Sequence, residues 1–167
     1  IENKYSIELN IIGFGPQEFL IKELVTKLSI EKNVNFLGKL NQKDFIQECY
    51  ENHVFVAPSQ TDILNGETEG GAPTVIIEAL ATGMPVIASN HADIPNIVSH
   101  KGSGLIFQEA DTDSLYHAII EMYNMKDNWP KMGTNGREFV QKYHDIETVS
   151  LELEKLYDLA IGSNFSE

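Results

Sequence analysis

Cysteine is almost missing from this chain. Cys49 is the only one in 167 residues, which excludes an internal disulfide and any cysteine-based metal site. A buried helical thiol in a reducing, cytoplasmic compartment is the expectation for it. Positive charge is also scarce. Lys and Arg number 12 against 25 Asp and Glu, giving a formal net charge of −13 and a pI near 4.7, so a broad basic face for nucleic acid or anionic lipid is excluded. Solubility is the plain reading of that acidity, and it leaves room for a local anion pocket built from backbone amides. No apolar run approaches the length of a membrane span and no signal peptide opens the chain, so any membrane contact is not expected through this part. An initiator methionine is absent too. The chain begins at Ile1 and is expected to be a piece of a longer polypeptide. What is present, 42% hydrophobic residues, is ordinary for one globular domain with a sizeable core.

The most informative stretch runs from Glu69 to Ser89. Gly70 and Gly71 form a loop whose backbone can approach a ligand closely, and Pro73 suits the first helical position, where a missing N–H costs nothing. Val75, Ile76, Ala79 and Leu80 recur at helical spacing, and Gly83 supplies a C-terminal stop before Met84 and Pro85. A helix over residues 73–82 is predicted. Its first turn, including Thr74 and Val75, presents unpaired N–H groups at the positive end of the helix dipole, a favourable place for a phosphate or diphosphate. Glu78 lies further along the same helix and leans back toward its start. Its carboxylate can reach hydroxyl donors, such as a ribose, bound beside that phosphate.

The rest of the chain alternates strand and helix. Strands are predicted at residues 7–12, 33–38, 53–59, 85–89 and 104–107. Between them lie a helix striped by Phe19, Leu20, Leu24 and Leu28, a helix over 41–50 with Phe45, Ile46 and Cys49 inward, and the central helix. Asp111 is expected to cap a helix containing Leu115, Ala118, Ile119 and Met122. Two further helices, 129–143 and 146–161, close the chain before a polar tail over 162–167. Such βα repeats define an α/β fold, a Rossmann-like doubly wound parallel sheet flanked by helices, with ligands at the carboxyl ends of the strands. Gly13-Phe-Gly15-Pro16 follows the first strand, but without a third glycine it is a weak dinucleotide fingerprint and reads equally as a structural turn. Lys39 and Leu40 follow the second strand, where Lys39 is by itself a surface cation. His91 sits after the fourth strand. It could meet a sugar or phosphate, yet a lone loop histidine is usually structural or solvated. No histidine and carboxylate spacing suggests a metal site.

The run Glu78-Ala-Leu-Ala-Thr-Gly83-Met-Pro85-Val-Ile-Ala88, with Glu69 upstream, resembles the C-terminal, donor-binding domain of retaining glycosyltransferases with two Rossmann-like domains (the GT-B fold, glycosyltransferase family 4-like). The resemblance implies that residues 1–161 are the nucleotide-sugar-binding domain of a longer hexosyltransferase, metal-independent and without a cofactor, the nucleotide-sugar being a co-substrate. UDP-, GDP- and ADP-sugars are all compatible. Transfer to a glycan or lipid-linked sugar in cell-surface polysaccharide synthesis is implied, with the acceptor site on an N-terminal domain of the same protein.

In that family two glutamates are separated by seven residues, the first contacting the transferred sugar and the second holding the ribose. These roles fall on Glu69 and Glu78, and Gly70, Gly71, Ala72, Pro73, Thr74 and Val75 would line the donor. Gly13 and Gly15 would stand near it, while Lys39 and Leu40 would lie in the base-reading segment. Eight residues separate Glu69 from Glu78 in this chain, so a one-residue bulge at Gly70–Gly71 is expected, with Glu67 as the weaker substitute for Glu69. His91-Ala-Asp93-Ile-Pro95-Asn96 stands where the family commonly has Gly-x-Pro-Glu. The family's first strand, and the Arg and Lys that follow it and clamp the diphosphate, have no match before Ile7. That strand would occupy the middle of the sheet, leaving a gap that residues 1–13, a closing of the sheet or another segment would fill. A non-catalytic nucleotide-sugar or phosphate-binding module is the alternative. A sugar-nucleotide epimerase is disfavoured, since neither a Tyr and Lys pair nor a full dinucleotide fingerprint is found.

Overall fold

Two sheets of short strands, parallel within each sheet, make the frame in the computed structural model, which describes residues 5–61, 66, 71 and 73–163. The chain divides into two compact units, residues 1–47 and 48–167. In the first, β1 (Leu9–Ile12) pairs in parallel with β2 (Val34–Gly38), and α1 (Glu18–Lys27) connects them. Gly13, at φ +123°, donates its N–H to the carbonyl of Gly38 at 2.8 Å and extends the pairing into the turn. The helix α2 (Gln42–Glu51) carries the boundary between the units. Its start is fixed by Asn41, whose Oδ1 accepts from the Asp44 N–H at 3.0 Å while its Nδ2 donates to the Asp44 carboxylate at 2.7 Å.

In the second unit β3 (Phe55–Ala57), β4 (Val86–Ser89) and β5 (Gly104–Phe107) form a parallel sheet in that order, with Val56 opposite Ile87 and Ile87 opposite Leu105. Every residue of β4 is buried, as a central parallel strand covered on both faces must be. The crossover α3 (Thr74–Thr82) lies on β3 and β4 and buries Ile76, Ala79 and Leu80 completely. It stops at Gly83, at φ +86°. The Gly83 N–H bonds the Leu80 carbonyl and the Met84 N–H bonds that of Ala79, a pattern that needs the left-handed conformation glycine adopts freely. The short α4 (Ile94–Ile97) follows β4. After β5, α5 (Thr112–Asn124) starts at Asp111, whose side chain accepts from the Ser114 N–H at 2.9 Å. Then come α6 (Trp129–Tyr143) and α7 (Ile146–Ser163). Ile87, Leu105, Phe107, Ala118, Met122 and Met132 make the core between sheet and helices, and Trp129 closes its margin through Nε1 donating to the Met122 carbonyl at 3.0 Å.

The structure corrects or refines several expectations. The described residues hold two parallel sheets, β1 pairing only with β2 and β3 only with β4, a break that accords with the gap expected where the central strand has no match. The stripe Phe19, Leu20, Leu24 and Leu28 is exposed, and α1 buries only Val25, because a two-stranded ribbon offers too little surface to cover a helix face. Val75, expected inward, is 38% exposed in the first turn of α3. The last helix runs two residues beyond the expected 161.

Candidate functional site

Chain connectivity sets the site's position. In a parallel βαβ unit the helix begins where the preceding strand ends, so α3 starts at the carboxyl edge of β3, beside the carboxyl end of β4. Pro73, at φ −59° and ψ 131°, is the residue preceding the helix rather than its first, and no side chain caps the start. The one-residue shift follows from its extended ψ, which leaves Thr74 as the first helical residue. Thr74 and Val75 lie exposed in the first turn. Gly71 adopts φ +70°, a left-handed conformation suited to glycine.

Glu78 is half-buried on α3, close enough to Cys49 that its charge helps hold the thiol up. Burial is the larger cause, and together with Glu78 and Glu48 it raises Cys49 to about 11. The first unit presents Gly13 and Gly15 after β1, and an exposed Lys39 and half-buried Leu40 after β2. Glu67, Glu69, Gly70 and Ala72 lie outside the described residues, as does the bulge expected there.

The carboxyl edge of the three-stranded sheet is tied together by a residue that sequence reasoning missed. Glu109, after β5, accepts from the Thr61 N–H through Oε1 at 2.6 Å and faces His91 Nδ1 through Oε2 at 3.1 Å. One carboxylate thus joins the segments following β3, β4 and β5. The Thr61 N–H, then His91, hold the Glu109 carboxyl below its ordinary range. Its own N–H donates to Asn90 Oδ1 at 2.7 Å, and Asn90 Nδ2 donates to Gln108 at 3.1 Å. Beneath them, the buried Ser89 hydroxyl donates to the Ser59 carbonyl at 2.6 Å. His91 is itself 2% exposed, structural in its partner rather than solvated. A cavity of about 360 Å³ lies elsewhere, lined by Cys49, Thr82, Gly83 and Trp129 at the other end of α3. Among the described residues no group of three or more His, Cys, Asp or Glu could hold a metal ion, and no helix is long and apolar enough to cross a membrane.

The fold is α/β, with parallel strands, flanking helices and α3 starting at the carboxyl edge of its sheet. The model of the family described as glycosyl transferases group 1 matches residues 1–139, and the chain belongs to that family. It is 31% identical over 115 residues to the amylovoran biosynthesis glycosyltransferase AmsK of Erwinia amylovora, covering 69% of this chain and 28% of the relative. A GDP-mannose-dependent monoacylated alpha-(1-6)-phosphatidylinositol monomannoside mannosyltransferase of Corynebacterium glutamicum is 33% identical over 134 residues, 80% of this chain and 34% of its own length. The chain therefore spans about a third of the length of these curated relatives. Among solved structures, Anabaena Alr3699/HepE in complex with UDP-glucose superposes with a TM-score of 0.72 at 18% identity, over 90% of this chain and 40% of that one.

Proposed function

We propose that this chain is the donor-binding part of a retaining glycosyltransferase that passes a sugar from a nucleotide-sugar to a glycan or lipid-linked acceptor. The observation that carries this reading is the uncapped start of α3 at the carboxyl edge of β3 and β4, in a chain belonging to a glycosyltransferase family. The diphosphate would lie against the first-turn amides of Thr74 and Val75, with Gly71 leaving the backbone accessible. Glu78 would accept from the ribose hydroxyls. Glu69 would orient the transferred sugar and stabilise positive charge developing at its anomeric carbon, which does not require a covalent bond to it. Departure of the diphosphate is then helped by fixed dipoles aimed where charge builds up, without a metal. The GDP-mannose and UDP-glucose in the names of the similar proteins support a nucleotide-sugar as ligand, and the AmsK and mannosyltransferase names support a polysaccharide or glycolipid product. The acceptor site and the cationic diphosphate clamp would be supplied by the remainder of the longer protein, the acceptor site by an N-terminal domain.

The test is transfer by the full-length protein from radiolabelled UDP-glucose and GDP-mannose. Label incorporated into an acceptor, abolished by Glu69→Ala with nucleotide binding retained, is the expected result. Transfer unaffected by that substitution would overturn the role of Glu69, and binding without any transfer would leave a purely binding module.

A further inference from the structure

The carboxyl edge holds a polar atom that the fold leaves unused. His91 is 2% exposed, its Nδ1 is committed to Glu109 at 3.1 Å, and its Nε2 is buried without a hydrogen-bond partner among the described residues. Withholding water from an imidazole nitrogen and giving it no partner costs free energy, and such groups in folded proteins call for an explanation. The Glu109 carboxylate is held in its ionised, acceptor-only form by the Thr61 N–H, so His91 Nδ1 must be the N–H that donates to it. That bond fixes both the tautomer and the orientation of the ring. Neutral, the ring offers a lone pair at Nε2; protonated, it offers an N–H there. A hydroxyl group, donor and acceptor at once, matches either form.

The surroundings separate a hydroxyl from a phosphate. Glu109 stands on one side of the ring, and Asp93, two residues on, brings a second carboxylate whose Oδ2 lies 4.0 Å from where a Cβ on Gly71 would be. Carboxylates on the same turn and against the same ring disfavour a phosphate and suit neutral O–H donors. Among the described residues, a methyl group at Gly71 would meet only that Asp93 oxygen within 4 Å, so Gly71 borders the turn that carries His91 and Asp93.

We propose that His91, held by Glu109, hydrogen-bonds through Nε2 to a hydroxyl of the transferred sugar and thereby sets which sugar the site accepts. The inference rests on the donor-site reading above and adds to it a residue that distinguishes sugars rather than nucleotides. Asparagine can keep the bond to Glu109 while lacking any atom at the Nε2 position; glutamine can place an amide there.

The experiment is calorimetric titration of the full-length protein, as wild type, His91→Asn, His91→Gln and His91→Met, with UDP, GDP, UDP-glucose, GDP-mannose and monodeoxy analogues of both sugars. With the nucleotide-sugar that the wild type binds, His91→Asn and His91→Met should weaken binding about tenfold, the loss expected for one hydrogen bond to a buried group. The bare diphosphate should be unaffected, and His91→Gln should recover most of the loss. One monodeoxy analogue should bind the wild type about tenfold more weakly than its parent, yet bind His91→Asn no more weakly than the parent does. Equal weakening of diphosphate and nucleotide-sugar, or deoxy losses that are the same in wild type and variant, would overturn the inference while leaving the donor site standing. If His91→Asn and His91→Met both fail to fold while His91→Gln folds, the role of Nε2 is structural and the inference falls. A wild type that binds no nucleotide at all would remove the donor-site reading and this one together.

Discussion

Gly133→Ala should destabilise the protein by about 2 kcal/mol, although the same exchange in an exposed helix would stabilise it. Gly133 lies in α6 against Gly83, the residue that ends α3. A methyl group there would sit 3.0 Å from the Gly83 carbonyl carbon and overlap its oxygen, inside the 3.5–4.0 Å at which non-bonded carbons are most stable. The obstacle is backbone, fixed by the Leu80 and Ala79 carbonyl bonds of the α3 stop, so no rotamer change relieves it. A clash this deep against backbone lies at the upper end of overpacking costs, about 3 kcal/mol, while alanine gains back about 1 kcal/mol of helix propensity, leaving about 2 kcal/mol. Relief requires α6 to move off α3, and Gly136, where a Cβ would lie 2.8 Å from Leu80 Cδ2, shows that the same seam is tight one turn on. Thermal unfolding followed by circular dichroism should show a midpoint lowered by about 4–8 °C for a chain of this size. A midpoint unchanged or raised would refute the close approach of α3 and α6.

Other consequences concern the site and its supports. Because burial and the charges of Glu78 and Glu48 hold Cys49 near 11, its thiol should alkylate slowly at neutral pH, and Glu78→Gln should shift its ultraviolet-detected titration downward; no shift would place Glu78 away from Cys49. The depressed Glu109 carboxyl contributes stability that is present above its ordinary value of 4.5 and lost as pH falls through its folded-state value. The stability difference between wild type and Glu109→Gln should therefore shrink as urea unfolding is carried from pH 7 to pH 3, and a constant difference would contradict the bonds to Thr61 and His91. Asp111→Ala should cost about 1 kcal/mol by removing the cap of α5, measured by the same unfolding curves.

How legible the molecule was depends on the range of the forces involved. The helix over 129–143 and the Asp111 cap were read from the sequence and are found as read, because proline at a helix start and aspartate before one act locally. Gly83 was readable as a stop for the same reason. A break in the sheet was legible from the unmatched first strand, but which strands then pair is set by partners across the fold. Exposure of the α1 stripe has the same origin: periodicity shows that a helix has an apolar face, but not whether anything covers it. Glu109 carried no signal at all. A glutamate in a loop after a strand is commonplace, and only the folded chain brings it against Thr61 and His91. His91 was visible but readable only as a lone histidine, because its partner lies 18 positions away along the chain. The place of Glu78 on its helix was legible and is found on α3, whereas Glu69 falls outside the described residues.

The central claim is that α3 and Glu78 form the nucleotide end of a sugar-donor site. It is tested most directly by calorimetric titration of the full-length protein with UDP, GDP and ADP, comparing wild type with Glu78→Ala. Saturable binding of one diphosphate, weakened about tenfold or more by loss of a charged hydrogen-bond acceptor, is the predicted result. Binding to none of the three, or binding indifferent to the substitution, would contradict the account.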